Sequence, residues 1–225
     1  MSIISEEEKI YILNLLSTFN LKHLSQYNFM KKLQALDDNF ILASGVSKVA
    51  IIPKEKNYVI KIPYYGKYRK SNGIKCFDPY FSSISKSSDY CKSEEIIYNK
   101  AKANGLDTFF AEIEQIGKIK SIPIYVQRKA VIFEDVYYPE DDEEENLNEH
   151  EISIFKTITT KYSDLVEDEY LPISWMKDFI CSYGELAFDK LYNFLSDNNI
   201  QDLHSENIGY ICEKPVLVDF SGFEG

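Results

Sequence analysis

Over the first 36 residues the apolar positions recur every three or four residues, the spacing of a helix with one buried face. Ser5 ahead of Glu6, Glu7 and Glu8 predicts an N-cap with acids in the first turn, and Ile10, Ile12, Leu13, Leu15 and Leu16 then form a broad apolar face. A second helix is predicted over 21–36, where Leu24, Tyr27, Met30 and Leu33 share a face widened by Phe29. From Asn39 the period changes. Phe40–Leu42, Val49–Ile52 and Tyr58–Ile62 are short β-rich runs separated by turns at 43–48 and 53–57, and they predict an antiparallel meander. A helix follows over Cys91–Gly105, with Glu94, Tyr98 and Ala101 on one face and Gly105 as its stop. Ile113–Lys118 and Ile122–Gln127 add two strands joined across Lys120–Ser121, which makes a five-stranded antiparallel sheet packed on one helix.

The remaining pattern is helical. Asn148 caps a predicted helix reaching about Leu165, with Ile152, Phe155, Ile158 and Tyr162 inward. Ser174 precedes a predicted long core helix whose stripe runs from Trp175 through Phe179, Ile180, Tyr183, Leu186, Ala187 and Leu191 to Phe194 and Leu195. The fold class is therefore α+β. Two stretches carry no such period. The connection from Tyr64 to Tyr90 interleaves Lys67, Arg69, Lys70 and Lys75 with aromatics and ends in a serine-rich run, the mixture that meets nucleic acid or an acidic partner. Charge runs more often mark exposed faces, so it is read as a solvated loop. The acidic run Glu140–Glu145 is read as a solvated linker, with capture of a basic partner as the alternative.

Composition narrows the function classes. At 225 residues, 44% hydrophobic and 14% aromatic, the chain can bury a core as one domain or two small lobes. A formal charge of −11 repels nucleic acid and anionic lipid at long range, while leaving room for a local phosphate site. Cys76, Cys91, Cys181 and Cys212 are too scattered for a zinc ribbon or a disulfide framework and are expected as free thiols. The acidic start and the lack of an apolar run of ~18 residues lead to the expectation of a cytoplasmic protein without a membrane anchor.

The candidate chemistry lies in three places. Lys61 stands at the centre of Val-Ile-Lys-Ile-Pro, a strand expected to be buried, so its ammonium must reach solvent or an internal anion. Asp202 and Asn207 sit five apart in Ile200-Gln-Asp-Leu-His-Ser-Glu-Asn-Ile-Gly-Tyr210, between two apolar segments. Asp219 ends the short apolar strand of Pro215-Val-Leu-Val-Asp-Phe-Ser-Gly222, and a hairpin would bring all three to one edge. This order resembles the protein-kinase-like superfamily, with the loop in the Asp-Leu-His-x-x-Asn form of aminoglycoside and choline kinases. The resemblance covers roughly Phe40 to Gly222.

The resemblance implies ATP and Mg²⁺ as cofactors and assigns roles by position. Asp202 accepts the proton of the acceptor hydroxyl, and Asn207 and Asp219 hold Mg²⁺ against the phosphates. Lys61 binds the α- and β-phosphates and pairs with a helix glutamate, Glu94 or, one residue of phase away, Glu95. Gly45 and Ser47 lie in a turn similar to a shortened glycine-rich loop, and Gln127 to Ala130 form the hinge whose backbone meets adenine. The implied organisation is a helical extension at 1–38, an N-lobe at 39–130 and a minimal helical C-lobe at 131–225.

Two departures bear on the activity. Ile200-Gln201 stands where the family has His-Arg, and only six residues follow Asp219, so neither an activation loop nor a peptide-docking subdomain is expected. The expected function is phosphotransfer from ATP to a hydroxyl of a protein or small molecule. The alternative is a pseudokinase acting as a nucleotide-binding switch or as an inhibitor of a partner. The N-terminal helices, being amphipathic, should pack on the core or form a homo-oligomer or partner contact.

Overall fold

The computed structural model describes residues 2–21, 24–45, 47–71, 74–83, 89–133, 148–167 and 171–221. It is a mixed α+β protein whose contacts divide it into two units, Met1–Ile96 with Glu112–Lys129, and Ile97–Ala111 with Ala130–Gly225. The acidic run 140–145 and Gly222 lie outside the described residues.

In the first unit, α1 (Glu6–Ser17) is closed by a capping box in which Ser5 and Glu8 satisfy each other's backbone N–H. Helix α2 (Gln26–Leu36) starts later than the predicted residue 21, because the Ser25 hydroxyl accepts the Asn28 N–H at 3.2 Å and sets the first turn there. Its buried face is Gln26, Phe29 and Leu33, while Tyr27, expected inward, is exposed. Likewise α1 buries Ile12 and Leu16, one turn apart, and leaves Ile10 exposed.

Both helices cover a five-stranded antiparallel sheet. Its strands are β1 (Phe40–Ser44), β2 (Lys48–Pro53), β3 (Tyr58–Pro63), β6 (Ile113–Ile119) and β7 (Ile122–Arg128), in the order β1-β2-β3-β7-β6. The period of two sorts the sheet's residues to its faces. Val49, Ile51, Ile60, Ile62, Ile124 and Val126 join Ile12, Leu16, Phe29 and Leu33 in one core. Full burial of a side chain such as Phe29 contributes about 1.5–3 kcal/mol. The register sets Ala50 opposite Lys61 and Lys61 opposite Tyr125, so Lys48, Lys61, Tyr125 and Gln127 belong to the other face.

The solvated loop expected at 64–90 is instead largely a ribbon. Strands β4 (Tyr65–Ser71) and β5 (Ile74–Ser83) pair antiparallel with a register shift between Tyr65 and Lys67. The aromatic and β-branched residues there favour an extended pairing, and this outweighed the basic residues on which the loop reading rested.

Helix α3 (Tyr90–Ala103) gives its first turns to the first unit and its last to the second. The second unit holds a three-stranded sheet of β8 (Val131–Ile132), β9 (Ile208–Ile211) and β10 (Lys214–Leu217), with β9 in the middle. Asn148 caps α4 (Glu149–Lys161) as expected, with Glu151 completing a capping box. That helix stops at Tyr162, whose phenol donates to Asp189 at 2.7 Å and whose ring meets Phe188 edge-on at 4.7 Å, and a separate short α5 (Ser163–Glu167) follows.

The single helix expected from Trp175 to Leu195 is two, α6 (Ile173–Tyr183) and α7 (Glu185–Asp197). Gly184 between them has φ 89° and ψ 157°, a conformation that breaks the helix and that a side chain would strain. Ser174, expected to precede the helix, lies inside α6, and Pro172 stands at the N-cap position. Trp175, Met176, Phe179, Phe188, Leu191 and Leu195 are buried, whereas Leu186, read as part of the stripe, is exposed. Among the described residues no helix is long and apolar enough to cross a membrane.

Candidate functional site

In the first unit Lys61 points from β3 to Glu94 on α3, its Nζ 2.7 Å from Oε2. Glu94 is completely buried and Lys61 5% exposed, so the charges are compensated inside the protein. Helix phase chose Glu94 over Glu95. The latter accepts the Gln115 N–H at 3.0 Å and pairs with Lys92 at the half-exposed rim.

A third charge joins them. Lys48, also buried, binds the other carboxylate oxygen of Glu94, Oε1. The sequence reading had assigned Lys48 to a turn, yet β2 begins with it, and the β2–β3 register places it diagonal to Lys61 on the same face. The signal was present in the period of two. Beside the triad, burial and the Glu94 charge push the Cys91 thiol well up, keeping it neutral. Burial, and its hydrogen bond to Asp89 at 2.7 Å, push the Tyr125 phenol up as well.

The turn before Lys48 holds Gly45 and Ser47. Gly45 donates its N–H to the Lys48 carbonyl at 3.0 Å, and Gln26 Nε2 donates to the carbonyls of Gly45 and Lys48 at 2.9 and 3.1 Å. The turn is thus clamped from α2. Ser47 is buried and accepts the Tyr64 N–H through its carbonyl at 2.9 Å. Gln127 lies inside β7, paired to Val59 and to Ile113 and 1% exposed, so its side chain shares the Lys61 face. Ala130 follows the strand, half-buried, in the second unit.

In the second unit the loop after α7 is anchored by buried Ile200 and Leu203. Asp202 lies between them, with its side chain 37% exposed, and a 3-10 turn at Ser205–Asn207 leads into β9. The Asn207 side chain is what orders this loop. Its Nδ2 donates to the Asp202 carbonyl at 2.8 Å and lies 2.9 Å from His204 Nε2. Those two contacts fix the amide, which leaves Oδ1 as its acceptor side. His204 Nε2 is also 3.6 Å from Asp202 Oδ1.

The β9–β10 hairpin returns Asp219 to the same place. It turns through Cys212 and Glu213, both at positive φ, as a two-residue hairpin requires. The Asn207 carbonyl then accepts the N–H of Val218 at 2.8 Å and that of Asp219 at 3.3 Å. Asn207 is thereby bonded to the backbone of both Asp202 and Asp219. Helix α6 holds the hairpin from below: Trp175 Nε1 donates to the Gly209 carbonyl at 3.3 Å, and Tyr210 donates to Asp178 at 2.7 Å.

Among the described residues no three His, Cys, Asp or Glu side chains are grouped to hold a metal ion. One carboxylate and one amide oxygen suit a hard cation that takes its remaining ligands from phosphate and water, which is how Mg²⁺ is ordinarily bound. Asp219 and Asn207 supply donors of those two types. The chain matches no protein-family model, no curated protein and no solved structure.

Proposed function

We propose that the chain is a protein-kinase-like phosphotransferase that passes the γ-phosphoryl group of Mg²⁺-ATP to a hydroxyl of a protein or small molecule. The observation that carries this is the buried Lys61–Glu94 pair, at 2.7 Å, between the third strand of a five-stranded antiparallel sheet and the helix that follows. A lysine so held is presented as a rigid cation, and a rigid cation is worth more to a phosphate than a solvated one, since it needs no reorganisation when charge develops. The organised loop of the second unit supports the same reading. Asp202 is accessible enough to accept a hydroxyl proton, and Asn207 and Asp219 offer the oxygens that fit the metal. Mg²⁺, when bound, neutralises charge that builds on the phosphate oxygens during transfer.

The residues' duties separate cleanly. Lys61 orients the phosphates, Glu94 holds Lys61, Asp202 takes the proton, and Asn207 keeps the loop in register through its two amide hydrogens. The direct test is a thermal melt with ATP, with and without Mg²⁺, followed by transfer of labelled γ-phosphate. At a hundred times Kd a ligand of the folded state adds about 2.7 kcal/mol, a rise of roughly 5–11 °C for a chain of this size. No rise with Mg²⁺-ATP overturns the proposal. A rise without transfer to any hydroxyl acceptor assigns the protein to nucleotide-dependent switching instead.

A further inference from the structure

The Glu94 carboxylate is shared by two lysines, and only one of them has been given a task. A structural ion pair needs one cation. Here both oxygens are taken, Oε2 by Lys61 and Oε1 by Lys48, and both ammonium groups come from the same face of the β2–β3 pair. Bringing a second ammonium into a buried site carries a desolvation cost that a lone structural pair would avoid. Lys48 also directly follows the Gly45–Ser47 turn, which Gln26 clamps from α2, so its backbone is as firmly placed as that of Lys61 in mid-strand.

We propose that Lys48 is a second phosphate-binding cation, aligned with Lys61 by their common carboxylate, so that the first unit meets a nucleoside polyphosphate with two ammonium groups. This rests on the nucleotide reading above. Glu94 acts as a positioning residue for both. Its two oxygens hold one ammonium each, so the two cations are kept beside one another. A single charge-assisted hydrogen bond to phosphate amounts to about tenfold to a hundredfold in affinity.

Two measurements test it, the first on the unaltered protein. A mixed acyl-phosphate anhydride of ATP is attacked by an amine near the phosphates: the N–C bond forms, the C–O bond to phosphate breaks, ATP leaves, and the acylated lysine is located by mass spectrometry. Acylation of both Lys48 and Lys61, suppressed by excess ATP, is the expected result. Acylation of Lys61 alone overturns the role of Lys48. Protection of neither lysine overturns the nucleotide reading itself, which separates the two failures. The second measurement compares Mg²⁺-ATP affinity in Lys48→Met and Lys48→Arg with adenosine affinity in the same variants. Lys48→Met should bind Mg²⁺-ATP about tenfold to a hundredfold more weakly, with adenosine unchanged and Lys48→Arg restoring much of the loss. A Lys48→Met protein with wild-type affinity and only a lowered melting temperature shows that Lys48 is structural, and overturns the proposal.

Discussion

Replacing Glu94 by glutamine tests whether the three-charge cluster is what holds the strand-three lysine in place. The change is nearly isosteric and leaves the apolar packing of α3 intact. It removes the carboxylate that binds both Lys48 and Lys61, and its amide could accept from one ammonium while presenting N–H to the other. Glu94 is fully buried and both lysines are nearly so. Removing one partner from a buried pair costs about 3–5 kcal/mol, which lowers the melting temperature by roughly 6–20 °C. Lys48→Met or Lys61→Met should each cost less, about 1.5–3 kcal/mol for one charged hydrogen bond, because Glu94 keeps its bond to the other lysine. Glu95→Gln is the control. Its partner Lys92 is half-exposed and its bond to the Gln115 N–H survives in the amide, so the loss should stay within about 1 kcal/mol. Urea midpoints at constant m-value rank the four variants. If Glu94→Gln were within about 1 kcal/mol of the wild type, or no worse than Glu95→Gln, the cluster would not be the anchor argued here.

Asp219→Asn should remove Mg²⁺-dependent ATP binding with little change in melting temperature, read by titration calorimetry, because a hard cation loses its only carboxylate among the fitted ligands. Asp202→Asn should leave that binding intact and suppress phosphate transfer, as expected of a group that acts on the acceptor proton; equal loss of both would move Asp202 into the binding machinery. Gly209→Ala should be strongly destabilising, since its Cβ would stand 2.3 Å from the Val131 carbonyl oxygen, whereas Gly117→Ala meets only the flexible end of Leu13. Melting curves in which the two are equal would contradict the close β8–β9 approach. Hydrogen bonds from Lys161 and then Tyr162 hold the Asp189 carboxyl below its usual 3.8. A lowered folded-state value gives stability that is present above 3.8 and fades as pH falls through the lowered value. The stability difference between wild type and Asp189→Asn should therefore shrink below that pH, and a difference that grew on acidification would reverse the assignment.

How much of this was legible depended on whether one signal or two competing ones governed each stretch. Ser5 and Asn148 were readable as caps because a single local hydrogen-bond requirement sets a helix start. Lys61 was readable because a lone charge in an apolar strand has few places to go. The sheet read as near-continuous apolar runs, such as Val49–Ile52, because helices cover one face and the Glu94 cluster closes part of the other. Lys48 was missed because a strand boundary is uncertain by a residue or two, and one residue moved it from turn to strand. The break at Gly184 was hidden by an apolar stripe that continues on both sides of it, and an isolated glycine does not by itself end a helical pattern. At 64–90 the basic residues drew the reading toward solvent, while the backbone followed the aromatic and β-branched ones.

The docking of α1 against β6 has a consequence for how the protein is made. The backbone N–H of Ile3 donates to the Glu114 carboxylate at 3.0 Å, across 111 residues of chain, and Leu13 packs on Gly117 of the same strand. Strand β7, which comes later still, lies between β3 and β6 in the sheet. At translation rates of about 5–20 residues per second, α1 emerges roughly 6–22 s before its docking partner does. Throughout that interval Ile12 and Leu16 lack the completed sheet, and β3 presents an open edge where β7 will insert, the kind of edge that invites wrong pairing. The earliest helix waits for the last strands, so the first unit closes only after residue 128 has left the ribosome.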